Sequence, residues 1–248
     1  TMINASKEFR DVIYGNSNKG YVAKAIITLS DNTVIEVDSS DIWEGGIEIT
    51  EQTSSSGNFD IGFCSCKQLV LKIKNTSNEF SSYDFYDAEI IPFVGLELSE
   101  TTEYIKKMML TVDDPVSQRP YISLTCLDNM HKLDKNVTSL SGSTAGQIVL
   151  NIANVCGVTL ANTNFDGHNM NLDIPENVTE YTYRQALSYV CQATGAFAYF
   201  DVDGDLVIKW YDTGAFEQAD NLDGGVFDSG GKIPTWSEFG NMTWEGLI

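Results

Sequence analysis

The chain has 248 residues, of which 42% are hydrophobic, 11% aromatic and 20% charged. This composition supplies one large or two modest hydrophobic cores and excludes wholesale disorder. With a formal net charge of −20 and no basic patch to release counterions from phosphate, we expect no stable binding to nucleic acid. No apolar run approaches the length of a membrane span, so we expect no membrane insertion.

Strand patterns dominate the first half of the chain, after a short amphipathic helix predicted over 6–14. The predicted strands cover 21–29, 33–37, 47–49, 69–74 and 88–98, with a polar loop over 53–58. Pro92 demotes part of the last strand to an edge or a bend. Residues 101–112 fit a helix or a strand, and the Asp-Asp-Pro sequence at 113–115 predicts a break and a domain boundary.

The second half mixes strands with helices. A clean alternation over 121–127 predicts a strand, followed by a helical turn over 128–133. Residues 196–201 and 206–210 predict a hairpin, because Asp203-Gly204 is a strong turn signal between two apolar runs. A short extended piece is predicted over 172–175.

Two segments repeat one helix pattern, in which Thr-x-x-Gln precedes an apolar stretch that ends at Gly. The Thr side chain can accept a bond from the N–H three residues on, and the Gln can accept one from the cap residue's own N–H. Gly supplies the left-handed residue at the helix end. The capping residues are Thr144, Gln147 and Gly157, then Thr182, Gln185 and Gly195. The predicted buried faces are Ile148, Val149, Ile152 and Val155, then Ala186, Tyr189, Val190 and Ala193, widened by Leu187 and Cys191.

The cysteines argue against a zinc site and indicate folding in a reducing compartment. They are Cys64, Cys66, Cys126, Cys156 and Cys191. The C-x-C pair has no second pair to complete a ligand set, and neither histidine has a partner at metal-ligand spacing. The last three cysteines lie in apolar patterns and are predicted to be buried.

Patterns typical of enzymes are weak. A catalytic triad would need His131 or His168, and neither accompanies a nucleophile elbow. The acidic run 201–205 resembles a calcium loop, but its Gly is at position four and Asp212, not Glu, is at position twelve. Paired carboxylates of a cell-wall hydrolase stay an open alternative, although no spacing singles out a pair. We therefore assign no catalytic, cofactor-binding or metal-binding residue.

Aromatic side chains offer a second alternative, a glycan-binding surface. Tyr83, Phe85 and Tyr86 lie in a polar segment that we expect to be exposed, where the rings could stack on sugars. The competing interpretation is one face of an edge strand. Trp236 and Trp244, near the end of the chain, are further aromatic residues that could stack on sugars.

Several segments, taken in their order and spacing, resemble a known family. They are FDIG (59–62), KQLVLKI (67–73), TVDDP (111–115), ISLTCLDNM (122–130), KLDK (132–135), TAGQ (144–147), YRQAL (183–187), AFA (196–198) and DGDL (203–206). They resemble the tail-hub family of tailed bacteriophages, which includes baseplate hub proteins and prophage tail proteins whose longer members carry a tail-associated endopeptidase. The resemblance covers about residues 20–212.

The resemblance implies an α+β, mainly β chain with two β-barrel-like domains and attached short helices. The implied divisions are an N-terminal helix and linker (1–19), a first barrel-like domain (20–117), a second with the two capped helices (118–212), and an irregular C-terminal segment (213–248) that would continue in a longer protein.

The resemblance also implies a homotrimeric ring in the virion tail, assembled in the bacterial cytoplasm and joining the tail tube to the host-facing tip. The family's hydrolase part lies C-terminal to the matching region, so we expect no enzymatic activity and no cofactor. An acidic ring lumen would repel DNA, and we expect part of the negative charge to line it.

Overall fold

The computed structural model describes residues 5–15, 19–52, 61–163, 165, 169–174 and 181–210. The described residues up to Lys209 belong to one compact unit. Several predictions lie outside the described residues: the loop over 53–58, His168, Asp212, Trp236, Trp244 and the irregular segment 213–248. Within the described part of the chain, no helix has both the length and the apolar character needed to cross a membrane.

A large antiparallel sheet dominates the fold, as the mainly β composition predicts. Its strands are β1 (Tyr21–Thr28), β2 (Val34–Val37), β3 (Ile42–Gln52), β4 (Cys66–Lys74), β5 (Glu89–Glu97), β6 (Thr102–Lys106), β7 (Leu110–Gln118) and β8 (Tyr121–Leu127). Their order across the sheet is β2-β1-β5-β7-β8-β4-β3, and β6 pairs with part of β5. The strand predictions for this part of the chain are confirmed.

The sheet curls around one hydrophobic core, because alternate residues of its strands turn to the same side. Val37 of β2 and Ile42 of β3, from opposite edges of the sheet, both belong to this core. Only residues 38–41 connect β2 to β3, which brings the two edges together. Among the described residues these edge strands are not paired with each other, so the sheet does not close into a barrel.

Pro92 does not mark an edge or a bend, contrary to prediction. It lies in β5, inside the sheet, opposite Ala25 of β1. On its other side the partner of β5 changes at this point from β7 to β6, and the Pro92 carbonyl accepts the Lys107 N–H at 3.0 Å. On this side the hydrogen-bond ladder of β5 is interrupted at Pro92 by the change of partner strand. The proline's lack of an N–H therefore removes no hydrogen bond from the sheet.

The break predicted at 113–115 is wrong. Strand β7 runs through these residues, and a β-bulge between Val112 and Asp114 absorbs the irregularity. Strands β7 and β8 pair as a hairpin up to Gln118 and Tyr121, so the sheet continues through residues 117 and 118. The ambiguous segment 101–112 forms β6 and the start of β7.

Helices and a second, two-stranded sheet complete the described fold. They are α1 (Lys7–Tyr14), α2 (Ala145–Cys156), α3 (Tyr183–Thr194), β9 (Ala196–Phe200), β10 (Leu206–Trp210) and short 3₁₀ helices at Asn129–Leu133 and Asn169–Asn171. Helix α2 packs against α3, and α3 packs against β9. The first 3₁₀ helix contacts β4, β9 and both long helices, so it links the large sheet to this helical layer.

The two predicted helix caps form, with one difference. At α3 the capping box is complete: Thr182 Oγ1 accepts the Gln185 N–H at 3.2 Å, and Gln185 Oε1 accepts the Thr182 N–H at 2.9 Å. At α2, Thr144 Oγ1 accepts the Gln147 N–H as predicted. The Gln147 side-chain oxygen, however, accepts the N–H of Ser143 and not that of Thr144. Both helices end at a glycine with φ of 67° and 73°.

The buried face of α2 is displaced from the prediction toward Ala153 and Cys156, and that of α3 is narrower than predicted. Val155, Tyr189 and Ala193 are exposed. In α3 the buried stripe is centred on Leu187, Val190 and Cys191, because these residues meet α2 and β9. Tyr189 and Ala193 lie beyond the edge of that stripe, where the 100° step between successive residues turns them outward.

Thr182→Ala removes the bond of the α3 capping box in which the Thr182 hydroxyl oxygen accepts the Gln185 N–H. We expect the free energy of unfolding to fall by about 1 kcal/mol, because the Gln185 N–H loses its acceptor. Urea denaturation followed by circular dichroism measures this change. Thr182→Ser keeps the hydroxyl and should stay close to the wild type; an equal loss in both variants would contradict a capping role.

Candidate functional site

Polar groups, among them the buried side chains of Lys67 and Asp128, converge where the large sheet meets the helical layer; we call this cluster the junction (Cys66, Lys67, Asp128, Arg184). Asp128 follows β8 and is 1% exposed. Its carboxylate accepts the backbone N–H of Lys67 at 2.9 Å and of Met130 at 3.1 Å. Lys67, 7% exposed, donates from Nζ to the Phe200 carbonyl at 2.8 Å. These bonds connect β4, β8 and β9.

The other two members of the junction strengthen the same connection. The Cys66 thiol lies beside the Asp128 carboxylate, with its Sγ 3.9 Å from the Lys67 carbonyl oxygen, and burial raises the pKa of this thiol to about 11. Arg184 of α3 donates to Asp134 at 2.7 Å in a half-exposed ion pair. At neutral pH Cys66 is therefore a protonated hydrogen-bond donor and not a nucleophile.

Burial raises the pKa of Asp128 above its model-peptide value of 3.8, against the opposing effect of the N–H groups it accepts. Because the folded pKa is the higher one, this residue's contribution to stability is fully present below the unfolded pKa and is lost as the pH rises through the folded pKa. Asp128→Asn does not titrate. We expect the wild type to lose stability relative to Asp128→Asn over this interval.

Urea unfolding of both proteins at steps from about pH 3 to pH 7 measures that difference. Parallel stability curves over the whole range would contradict a raised pKa at Asp128.

A groove of about 440 Å³ marks the open seam of the sheet, where β1 and β3 face each other. Strand β2 covers β1 only from Ala25 onward, and the Ser39 side chain instead bonds the N–H and C=O of Ala23 at 2.9 and 3.0 Å. Across the groove, Ile47 and Ile49 of β3 pack on the core but stay partly exposed. The seam is thus an apolar slot between two strands.

The exposed edge of β3 carries features that limit pairing with other strands. The register of β3 against β4 shifts between Ile42 and Ile47, which forms a large bulge. The bulge directs the Trp43 ring onto Tyr121 at a centroid distance of 5.6 Å and leaves Glu44 exposed. A bulge and charges on an edge strand disfavour indiscriminate edge-to-edge association, so contacts at this seam must be specific.

The surface of three exposed rings considered at 83–86 does not form, and neither does an edge strand. Phe85 is 3% exposed and belongs to the hydrophobic core. The segment forms turns, and a turn lets one ring enter the core while its neighbours face solvent. Tyr86, 56% exposed, and Tyr83 stay outside. Tyr83 lies on a polar groove of about 300 Å³ with Asp31 and Asp84.

The hairpin predicted from 196–201 and 206–210 is confirmed, because β9 pairs with β10, and the Asp201 and Asp203 carboxylates of its turn are already engaged. Asp201 Oδ1 accepts the N–H groups of Asp203 and Asp205 at 2.9 and 3.0 Å. Asp203 forms an ion pair with Lys106 at 2.7 Å. In the described part of the chain, no three His, Cys, Asp or Glu side chains cluster in a way that could hold a metal ion.

His131 lies in the 3₁₀ helix that follows Asp128. Its Nδ1 is 2.6 Å from the Asp128 carbonyl oxygen. This contact connects the ring to the first turn of its own helix, so the described contact of His131 is a structural one.

The fold and junction together define an α+β protein, mainly β, in which an open curled sheet is attached to a two-helix layer. No protein-family model and no curated protein matches this sequence. Among solved structures, the 43 kDa tail protein of prophage MuSo2 from Shewanella oneidensis matches with 15% identity and a TM-score of 0.42. The match covers 79% of this chain and 57% of that one.

Two further matches are similar in kind. A tail protein from Neisseria meningitidis MC58 is 13% identical with a TM-score of 0.47, covering 79% of this chain and 52% of that one. A chain of the Francisella PdpA-VgrG complex is 10% identical with a TM-score of 0.48, covering 90% and 37%. This chain thus spans between 37% and 57% of the length of these structures.

Proposed function

We propose that this chain is a structural subunit of a phage or prophage tail, a hub that joins the tail tube to the host-facing tip. One observation carries the proposal. The segments that resemble the tail-hub family are scattered along the sequence, yet they fold into adjacent elements. Strands β4, β8 and β7 are neighbours in the sheet, and α2, α3 and β9 pack together beside them.

The proposed assembly is a homotrimeric ring with two barrel-like modules in each subunit. The first module (20–117) is built on the curled sheet, the second (118–212) on α2, α3 and the β9–β10 hairpin, and β8 connects them. The open seam supports this arrangement, because an apolar slot between β1 and β3 is a surface that a second copy could cover. The net charge of −20 suits a channel that DNA passes without binding.

The proposed role is architectural and needs no cofactor. Its support is that the buried titratable groups of the junction are occupied with structural bonds, as Asp128 and Lys67 show. Incubation of the purified chain with bacterial cell walls tests the hydrolase alternative, and robust clearing of turbidity would overturn the architectural role.

Deletion of the coding sequence from a phage or prophage that produces tails tests the function directly. We expect tail tubes without host-facing tips under the electron microscope and a loss of infectivity, restored by supplying the chain in trans. Normal, infective particles from the deletion strain would refute a hub role.

The homotrimer is tested in the same complemented system, by mass measurement of hubs released from tails. Tyr21→Glu places a charge in the seam, whereas Val34→Glu places one at a similarly exposed residue of β2 outside the groove. We expect the first variant alone to lose the trimer. Trimers that persist in Tyr21→Glu would show that the subunits meet elsewhere.

A glycan-binding tail component is the second candidate, favoured by the polar groove beside Tyr83. Asp31 and Asp84 at this groove can accept bonds from sugar hydroxyls while the exposed rings of Tyr83 and Tyr86 stack on the sugar. Saturable binding of host polysaccharide that is lost in both Tyr83→Ala and Tyr86→Ala would support it.

A further inference from the structure

A short segment fastens the start of β4 to helix α3; we call residues 61–65 the strap. The Gly62 N–H donates to the Ala196 carbonyl at 2.9 Å, and the Ser188 hydroxyl donates to the Gly62 carbonyl at 2.8 Å. The strap therefore lies directly on the backbone of α3 and beside the first residue of β9.

Two thiols meet beneath the strap. The Cys64 Sγ is 3.8 Å from the Arg184 carbonyl oxygen of α3, and the neighbouring thiol is that of Cys191, two turns further along the same face of α3. Cys64 is 7% exposed and Cys191 is fully buried. Both are free thiols, on segments that backbone and side-chain bonds already hold together. Neither takes part in the junction or in the seam.

We propose that Cys64 and Cys191 form a redox modification site, at which hydrogen peroxide produces a disulfide between the strap and α3. The Cys64 sulfur attacks one peroxide oxygen, the O–O bond breaks, and a sulfenic acid and water result. The Cys191 sulfur then attacks the Cys64 sulfur, the S–O bond breaks, and a second water leaves as the S–S bond forms. The two thiols lose two electrons, and hydrogen peroxide is reduced to two waters.

The environments of the two thiols assign these roles. Cys64 is the more accessible sulfur and meets the peroxide first. The hydrogen bond with Cys64 and burial hold the pKa of Cys191 well above its ordinary value, so Cys191 stays a thiol that resolves the sulfenic acid. Because the strap is already bonded to α3 at Arg184 and Ser188, on the helix that carries Cys191, the bond needs no large movement of the backbone.

The test treats the reduced full-length chain with hydrogen peroxide, removes the oxidant, and titrates thiols in denaturant. We expect the five free thiols to fall to three, and peptide mapping to find Cys64 joined to Cys191. The oxidised protein should melt on the order of 5–10 °C above the reduced one, because the bond restricts the unfolded chain. Cys66→Ser is the matched control and should keep both effects.

Cys64→Ser and Cys191→Ser should each abolish the bond and the shift in melting temperature. If both variants fail to fold, thiol titration and mapping of the wild type and Cys66→Ser still decide the question. Five free thiols after peroxide, a bond between Cys64 and Cys66, or Cys64 recovered as sulfinic acid would each overturn the proposal. The bond does not depend on the proposed function, so its failure leaves the tail role standing.

Discussion

Replacing Asp128 with alanine is expected to lower the free energy of unfolding by about 3 kcal/mol, because several buried donors lose one acceptor. The backbone N–H groups of Lys67 and Met130 both donate to this carboxylate, and the Cys66 thiol lies beside it. The nearby Lys67 ammonium also loses a favourable opposite charge. Urea unfolding at neutral pH, followed by tryptophan fluorescence, measures the loss.

Asp134→Ala is the matched control for Asp128→Ala. Asp134 forms an ion pair with Arg184 at a similarly short distance of 2.7 Å, but its side chain is 51% exposed. Water replaces the lost bond there, so we expect a loss below about 1 kcal/mol. If both variants lost the same free energy of unfolding, burial would not be the reason that the Asp128 bonds stabilise the fold.

Gly62→Ala is expected to lower the free energy of unfolding by at least about 3 kcal/mol and to release the strap from α3. A Cβ at Gly62 would lie 2.7 Å from the Gln192 nitrogen and from the Ser188 carbonyl oxygen, both backbone atoms of α3. The residue also has φ of +82°, which disfavours any side chain. Urea unfolding and limited proteolysis within the strap measure the two effects.

Gly45→Ala separates backbone strain from the steric clash at Gly62. Gly45 has φ of +64°, and a Cβ there would meet nothing within 4 Å. It therefore shares the strain without the contact, and we expect a loss of about 1 kcal/mol. If Gly62→Ala cost no more than Gly45→Ala, the close approach of the strap to α3 would be refuted.

Part of the candidate site could have been predicted from the sequence. Lys67 stands in phase with Leu69, Leu71 and Ile73 in an alternating strand, so its side chain should point to the buried face. Asp128 continues the buried phase of β8 in the same way. A charged residue at an inward position is a signal of a buried polar contact. The partners were not predictable, because the pairing of β4 with β8 joins distant segments.

The strap and the seam carry no comparable local signal. Cys64 and Cys191 are far apart in the chain, and only the contact of the strap with α3 brings their sulfurs together. The seam exists because β2 is too short to cover the whole of β1. Likewise, an aromatic residue in a turn gives no indication of whether it faces the core, which is why Phe85 was misplaced.

The amino-acid sequence alone specifies the helices, their caps, the alternating strands and the hairpin at Asp203-Gly204, because each depends on interactions between residues close together in the chain. Three-dimensional packing decides the rest: the course of β7 through its Asp-Asp-Pro sequence, the interior location of Pro92 and the open seam. These features depend on which distant strands become neighbours. That choice is made by the burial of a shared core, to which seven strands of the large sheet contribute and which no single segment encodes.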